Sequence, residues 1–235
     1  MTKTVFITGA DKGLGRSLTK VFLEQGFHTF AGQFDPETGL PALEERFPDT
    51  LELIPLDVTD LSSVERAAVL VAEKTSALDI LINNAGVFPG GSRVPLEELE
   101  LSERRFFHTM DVNAFGPLRV TQQFLPLLRE GEMKRIVNVS SEAGSIADCW
   151  RNQEYAYCMS KAALNMQSKI LQNYLGPDGF KVLAVHPGWM RTDMGGAEAD
   201  IHPDEAADGI LDLAMRDWGV DDPIYFDYQG KQMRW

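Results

Sequence analysis

A chain of 235 residues with 44% apolar composition can bury one substantial core, so a single domain over 1–235 is expected. Its formal net charge of −13 argues against a general nucleic-acid binder, which needs a basic surface to neutralise phosphates. Two cysteines without a CxxC or Cys/His cluster, and four histidines without ligand spacing, argue against a disulfide frame and a metal site.

The chain opens on "KTVFIT", too short for a signal-peptide core, and no apolar run approaches bilayer-crossing length; a cytoplasmic protein without a membrane partner is expected. "TVFIT" reads as a first strand. It runs directly into "TGADKGLG" at 8–15 and a helix whose apolar positions are Leu14, Leu18, Val21 and Phe22. Gly9, Gly13 and Gly15 allow a tight turn and close backbone approach, and the helix start offers N–H groups to a pyrophosphate. Further strands are expected at "FHTFAGQ", "LELIPL", "LDILI", "RIVNVS", "FKVLAVH" and "PIYFDY". Between them lie helical spacings, such as Val64, Ala68 and Val71, then Leu118, Phe124, Leu125 and Leu128. The alternation implies an α/β fold, a doubly wound parallel sheet of about seven strands with helices on both faces.

The irregular stretches 86–98, 141–154 and 188–204 each follow an expected strand. Ligands of open parallel sheets bind beyond the carboxyl ends of the strands, so these stretches are the expected walls of a site. Asp57 and Val58 end the third strand and "NNAG" at 83–86 ends the fourth, bringing three signals to corresponding strand ends. Asp57 reads either as an adenine contact or as a helix cap, a task for which Asp60 or Ser62 is better placed. In "YAYCMSK" at 155–161, Tyr157 stands four residues before Lys161 and shares its helix face, whereas Tyr155 is paired with Met159. Alone, that pair reads more readily as a chance pair on a solvated helix than as a tuned phenol.

Taken together, TGxxxGxG at 8–15, Asp57, NNAG at 83–86, "IVNVSS" at 136–141, YxxxK at 157–161 and "HPGWMRTDM" at 186–194 resemble the short-chain dehydrogenase/reductases over essentially the whole chain. "GSI" at 144–146, "YAYCMSKAALN", "HPGWMRTDMGG" and the ending "YFDYQGK" with Trp235 resemble their C-factor-like branch of short carbonyl reductases. The resemblance implies a Rossmann-type fold and an NAD(P)-dependent oxidoreductase acting on a small carbonyl or secondary alcohol. It also implies a tetrad of Asn113, Ser141, Tyr157 and Lys161. Tyr157 would exchange the proton of the substrate oxygen, and Lys161 would favour its ionised form while contacting the nicotinamide ribose. Lowering a phenol from about 10 to about 7 takes roughly 4 kcal/mol, which an ammonium and a positive nicotinamide can supply together.

By the family pattern SxxG, Ser141 and not Ser140 is the serine that donates to the developing oxyanion. Asn113 falls in the helical pattern "MDVNAFGPL", and the resemblance suggests a helix distortion there. The cofactor would be held by Gly9, Asp11, Lys12, Gly13, Leu14, Gly15, Gln33, Asp57, Val58, Asn84, Ala85, Gly86, Tyr157, Lys161, Pro187, Gly188 and Thr192. Gln33 is neutral where an acidic residue would select NAD, and Lys12 offers a charge to a 2′-phosphate, so NADP is expected over NAD. Phe34 and Asp35 pull the other way. The spacing from Ser141 to Tyr157 is longer than in many family members, which enlarges the loop over the substrate. Cys149, Trp150, Trp189, Met190 and Met194 suggest a partly apolar substrate pocket. Ala162, Ala163, Leu164, Met166 and Ile170 give the helix after Tyr155 surplus apolar surface, suited to a homodimer or homotetramer. The alternative is a non-catalytic nucleotide-sensing or signalling protein on the same fold, which has no need of the four tetrad residues together. A nucleotide-sugar epimerase also uses YxxxK, but the glycine spacing and the short C-terminal part speak against it.

Overall fold

The computed structural model describes residues 2–35, 40–89, 93–101, 104–219 and 221–235. Seven strands form one parallel sheet: β1 (Thr4–Thr8), β2 (His28–Gln33), β3 (Leu51–Pro55), β4 (Ile80–Asn83), β5 (Arg135–Val139), β6 (Lys181–His186) and β7 (Tyr225–Asp227). Their order is β3-β2-β1-β4-β5-β6-β7. The chain therefore works outward from β1 to β3 and returns to β4 on the other side of β1. That reversal opens a crevice at the carboxyl ends of β1 and β4. Phe6 on β1 pairs with Phe30 on β2 and Leu81 on β4, which sets the register of the switch point.

Because successive side chains alternate across a strand, the apolar runs feed two cores. Val5 and Ile7 face α1 (Gly13–Glu24) and α7 (Pro203–Met215), packing with Leu18, Phe22 and Ile210. Phe6, Phe30 and Leu81 face the opposite layer with Val64 of α3 (Leu61–Ala72), Phe124 of α5 (Gly116–Glu130) and Leu175 of α6 (Tyr155–Leu175). The short α2 (Pro41–Arg46) contributes Leu43 to a third cluster beside β2 and β3. The sheet is thus covered on both faces, as the strand and helix pattern predicts.

Two helix faces differ from expectation. On α3 the buried stripe is Val64, Ala67 and Val71, with Ala68 at its half-buried edge. On α5 it is Val120, Phe124 and Leu128, a strict four-residue stripe, while Leu118 falls on the exposed side and Leu125 is half-buried. The helix α4 (Arg104–Met110) continues into α5 through a π turn, Asp111–Phe115. Asn113 sits in that turn, so the expected distortion is present.

With every strand pointing the same way, the stretches 86–98, 141–154 and 188–204 all emerge on one edge of the sheet. Residues 90–92 of the first lie outside the described residues. Among the described residues, no helix is long and apolar enough to cross a membrane.

Candidate active site

The glycine turn is shaped by close approaches rather than by chain flexibility. Gly9 has φ 63°, and a side chain there would stand 2.9 Å from the Ala85 Cα. At Gly15 a Cβ would lie 1.9 Å from the Gly9 carbonyl oxygen, so the start of α1 can close on the turn only without one. Lys12 stands at the N-cap of α1 with extended backbone and no side-chain capping bond, leaving the first-turn N–H groups without a side-chain acceptor from it. An uncapped helix start behind a glycine turn fits the pyrophosphate of a dinucleotide. Leu14 is buried in the core, so only its backbone is available to a ligand.

Thr8 fastens this turn to "NNAG". Its hydroxyl accepts from the Asn84 and Ala85 N–H groups at 3.0 and 2.9 Å, and the Asn84 amide donates to the Thr8 and Gly9 carbonyls at 2.9 and 3.0 Å. Asn84 is therefore a shaping residue. Gly86 lies where the two halves of the site meet: a Cβ there would be 3.4 Å from Asn113 Oδ1 and 3.7 Å from Lys161 Nζ.

Asn113 is fully buried and uses both ends of its amide. Oδ1 accepts from Val87 N–H at 2.8 Å, and Nδ2 donates to the Val87 carbonyl at 2.9 Å and to Ser160 Oγ at 3.0 Å. Ser160 Oγ in turn donates to the Tyr157 carbonyl at 2.8 Å. The π turn thus ties the loop after β4 to the first turn of α6. Lys161 is buried, donates to the Val139 carbonyl at 2.9 Å, and places Nζ 5.8 Å from the centre of the Tyr157 ring. Burial lowers its ammonium to about 8.

The two serines separate. Ser140 Oγ donates to Asn165 Oδ1 at 2.6 Å and belongs to the core, whereas Ser141 begins the turn after β5 and stands beside the Tyr157 phenol. The Ser141 hydroxyl also accepts from Ala143 N–H at 3.1 Å. The four residues Asn113, Ser141, Tyr157 and Lys161 lie around one centre. Burial pushes Tyr157 up to about 12, against the pull of Ser141. Phe88 meets the Tyr157 ring edge-on at 5.0 Å between centres.

Of the expected apolar lining, Cys149, Trp150, Trp189 and Met194 are exposed on the loops after β5 and β6, whereas Met190 is half-buried and packs against the core. Arg93 and Arg151 are not simply solvated: Arg93 Nε and Arg151 Nε both donate to Glu154 at 2.7 Å, and Arg151 also binds Glu142.

At the other end, the Gln33 side chain is buried and its Nε2 has no hydrogen-bond partner, a donor that fits an adenosine ribose. Asp11 accepts from the Phe34 and Asp35 N–H groups at 3.2 Å each, which fixes the turn after β2. Asp57 binds Thr59 through one carboxylate oxygen, while Asp60 caps α3 through Ser62 N–H at 2.9 Å. Val58 packs where a Gly116 Cβ would come within 2.9 Å, and its carbonyl accepts from Arg119. Lys12 is committed to Asp193 at 2.8 Å, and the methyl of Thr192 approaches Gly13. The loop that follows Pro187 and Gly188 therefore folds over the glycine turn.

Phe88, Ser160, Glu154 and Tyr225 escape a reading of the sequence, because each also has a partner that only the fold brings near: Tyr157, Asn113, Arg93 and Ser141 respectively. For Thr8 the signal was its place at the head of the glycine motif.

A family model for short chain dehydrogenases matches residues 3–201. The chain is 40% identical over 161 residues to C-signal of Myxococcus xanthus, covering 68% of this chain and 95% of that protein. It is 36% identical over 218 residues to estradiol 17-beta-dehydrogenase 2 of Mus musculus, covering 92% of this chain but 55% of that one. Among solved structures, NADPH-bound carbonyl reductase from chicken fatty liver superposes with a TM-score of 0.90 at 32% identity, covering 100% of this chain and 99% of the other. With its switch-point crevice, glycine turn and matched sequence, this chain belongs to the short chain dehydrogenase family.

Proposed function

We propose that this protein is an NADPH-dependent carbonyl reductase. The observation that carries the reading is Tyr157 with Ser141 at its hydroxyl and Lys161 Nζ 5.8 Å from the centre of its ring. Likeness to an NADPH-bound carbonyl reductase supports the choice of cofactor. NADPH, when bound, supplies the hydride to the carbonyl carbon. Tyr157 gives its proton to the carbonyl oxygen, and Ser141 donates a hydrogen bond to the charge that develops there. Lys161 stabilises the phenolate left behind. Asn113 holds the Val87 loop and, through Ser160, the Tyr157 backbone, so the acid does not drift from the substrate. The uncapped start of α1 and the Gln33 donor would receive the pyrophosphate and the adenosine ribose.

A panel of aldehydes, ketones and secondary alcohols, followed by nicotinamide absorbance with both cofactors, tests this reading. Turnover with NADPH is expected. Binding of NADPH with no turnover of any carbonyl would instead support a nucleotide-sensing protein.

We also propose self-assembly, through an altered surface. Leu164 is buried in the core and leaves the surface patch, whereas Met166, Ile170 and Tyr174 on α6 and Phe115 and Leu118 on the neighbouring helix are exposed. A second copy of this chain related by a two-fold axis is the proposed occupant, and light scattering that finds only monomer at high concentration would remove it.

A further inference from the structure

Glu154 directly precedes α6 and stands three residues before Tyr157, with backbone φ 64° and ψ 35°. A residue with a Cβ enters that left-handed region rarely, and it stays there when its surroundings hold it. Two arginines do so. The Glu154 side chain is nearly buried, its Oε1 accepting from Arg93 Nε and its Oε2 from Arg151 Nε, each at 2.7 Å. Arg151 turns its other nitrogens to Glu142, Nη2 to Oε1 at 2.8 Å and Nη1 to Oε2. Glu142 immediately follows Ser141.

We propose that Arg151 is a positioning residue whose guanidinium spans Glu142 and Glu154 and thereby sets the separation of Ser141 and Tyr157, while Arg93 couples the loop after β4 to the same carboxylate. This rests on the reductase reading above.

A guanidinium suits the task because it is planar and always charged, with donors enough for a bidentate pair on one carboxylate and a further bond to another. Its place is fixed from below as well, since it lies 4.7 Å over the Trp150 ring. The connection it staples is the segment between Ser141 and Tyr157, whose length would otherwise let the two hydroxyls part. Glu154 also accepts the first hydrogen bond of α6, from Cys158 N–H at 3.0 Å, so holding this residue holds the helix start. Arg151 and Glu142 act on the Tyr157 phenol in opposite directions, so the pair balances charge near the acid as well as fixing its place.

Full-length Arg151→Ala, Arg151→Lys and Arg93→Ala are compared with wild type in NADPH affinity, carbonyl kinetics and amide hydrogen exchange. Arg151→Ala is expected to lower kcat roughly 10- to 100-fold, with NADPH affinity kept and faster exchange at the Cys158 amide. Arg151→Lys should move both in the same direction, because an ammonium cannot form the bidentate pair. Arg93→Ala should raise KM for the carbonyl with kcat within about twofold. Faster exchange with unchanged kcat would reduce Arg151 to a helix-start brace and overturn the proposal. A lower kcat with unchanged exchange would overturn it too, since Arg151 would then act on substrate directly. If Arg151→Ala does not fold, Arg151→Lys with wild-type kcat is the overturning result. The exchange comparison needs no turnover. A wild type that reduces no carbonyl, with exchange faster in the variants, would therefore sink the reductase reading and leave the clamp geometry standing.

Discussion

Tyr225 on β7 donates its hydroxyl to the backbone carbonyl of Ser141 at 2.7 Å, so the last strand of the sheet holds the serine that follows the fifth. Tyr225 is buried and stacks on Trp235 at 4.9 Å between ring centres. Tyr225→Phe keeps the ring and removes the donor, leaving the Ser141 carbonyl with the Gly144 N–H at 3.0 Å alone. A loss of about 0.5 to 1.5 kcal/mol in denaturant unfolding is expected, with a lower kcat and unchanged NADPH affinity. A variant with wild-type kcat would show that Ser141 needs no such support.

Tyr157→Phe should lower kcat by orders of magnitude while cofactor binding is kept, because the lost hydroxyl acts in the transition state. Tyr155, on another face of α6 and half-buried, should tolerate the same change with little effect. Equal losses in the two variants would contradict the assignment of the acid.

Burial brings Lys161 down to about 8, and its charged form is the one that stabilises the phenolate. The ammonium is present below that value and is lost as pH rises through it. Reductive kcat/KM should therefore decline on the alkaline side of about 8, by roughly tenfold per unit. Tyr157, at about 12, keeps its proton across this range and does not produce the limb. A profile flat to pH 10 would place the lysine elsewhere in the chemistry.

Asp193 holds Lys12 at 2.8 Å and raises its ammonium, so a 2′-phosphate would have to compete with that carboxylate. The ratio of kcat/KM for NADPH over NADH should fall in Lys12→Ala and rise in Asp193→Asn. If Lys12→Ala leaves the ratio unchanged, the choice of cofactor belongs to the turn after β2, where Asp11 binds the Phe34 and Asp35 amides.

What the sequence determined by itself was local or periodic. Alternating apolar runs set the two-faced parallel sheet, and glycine spacing set a turn that a Cβ at Gly15 would block. The four-residue step from Tyr157 to Lys161 set a shared helix face, which α6 carries. Asn113 had no such local signal, and its π turn was expected only through family likeness. Tertiary structure decided what depends on distant partners. It separated Ser140, drawn to Asn165, from Ser141 beside Tyr157, and it surrounded the phenol so that desolvation raises it. It also paired Arg93, Arg151 and Lys12 with Glu154, Glu142 and Asp193 respectively. Desolvation and ion pairing act through space, between residues brought together only when the strand order closes, and no spacing along the chain encodes them.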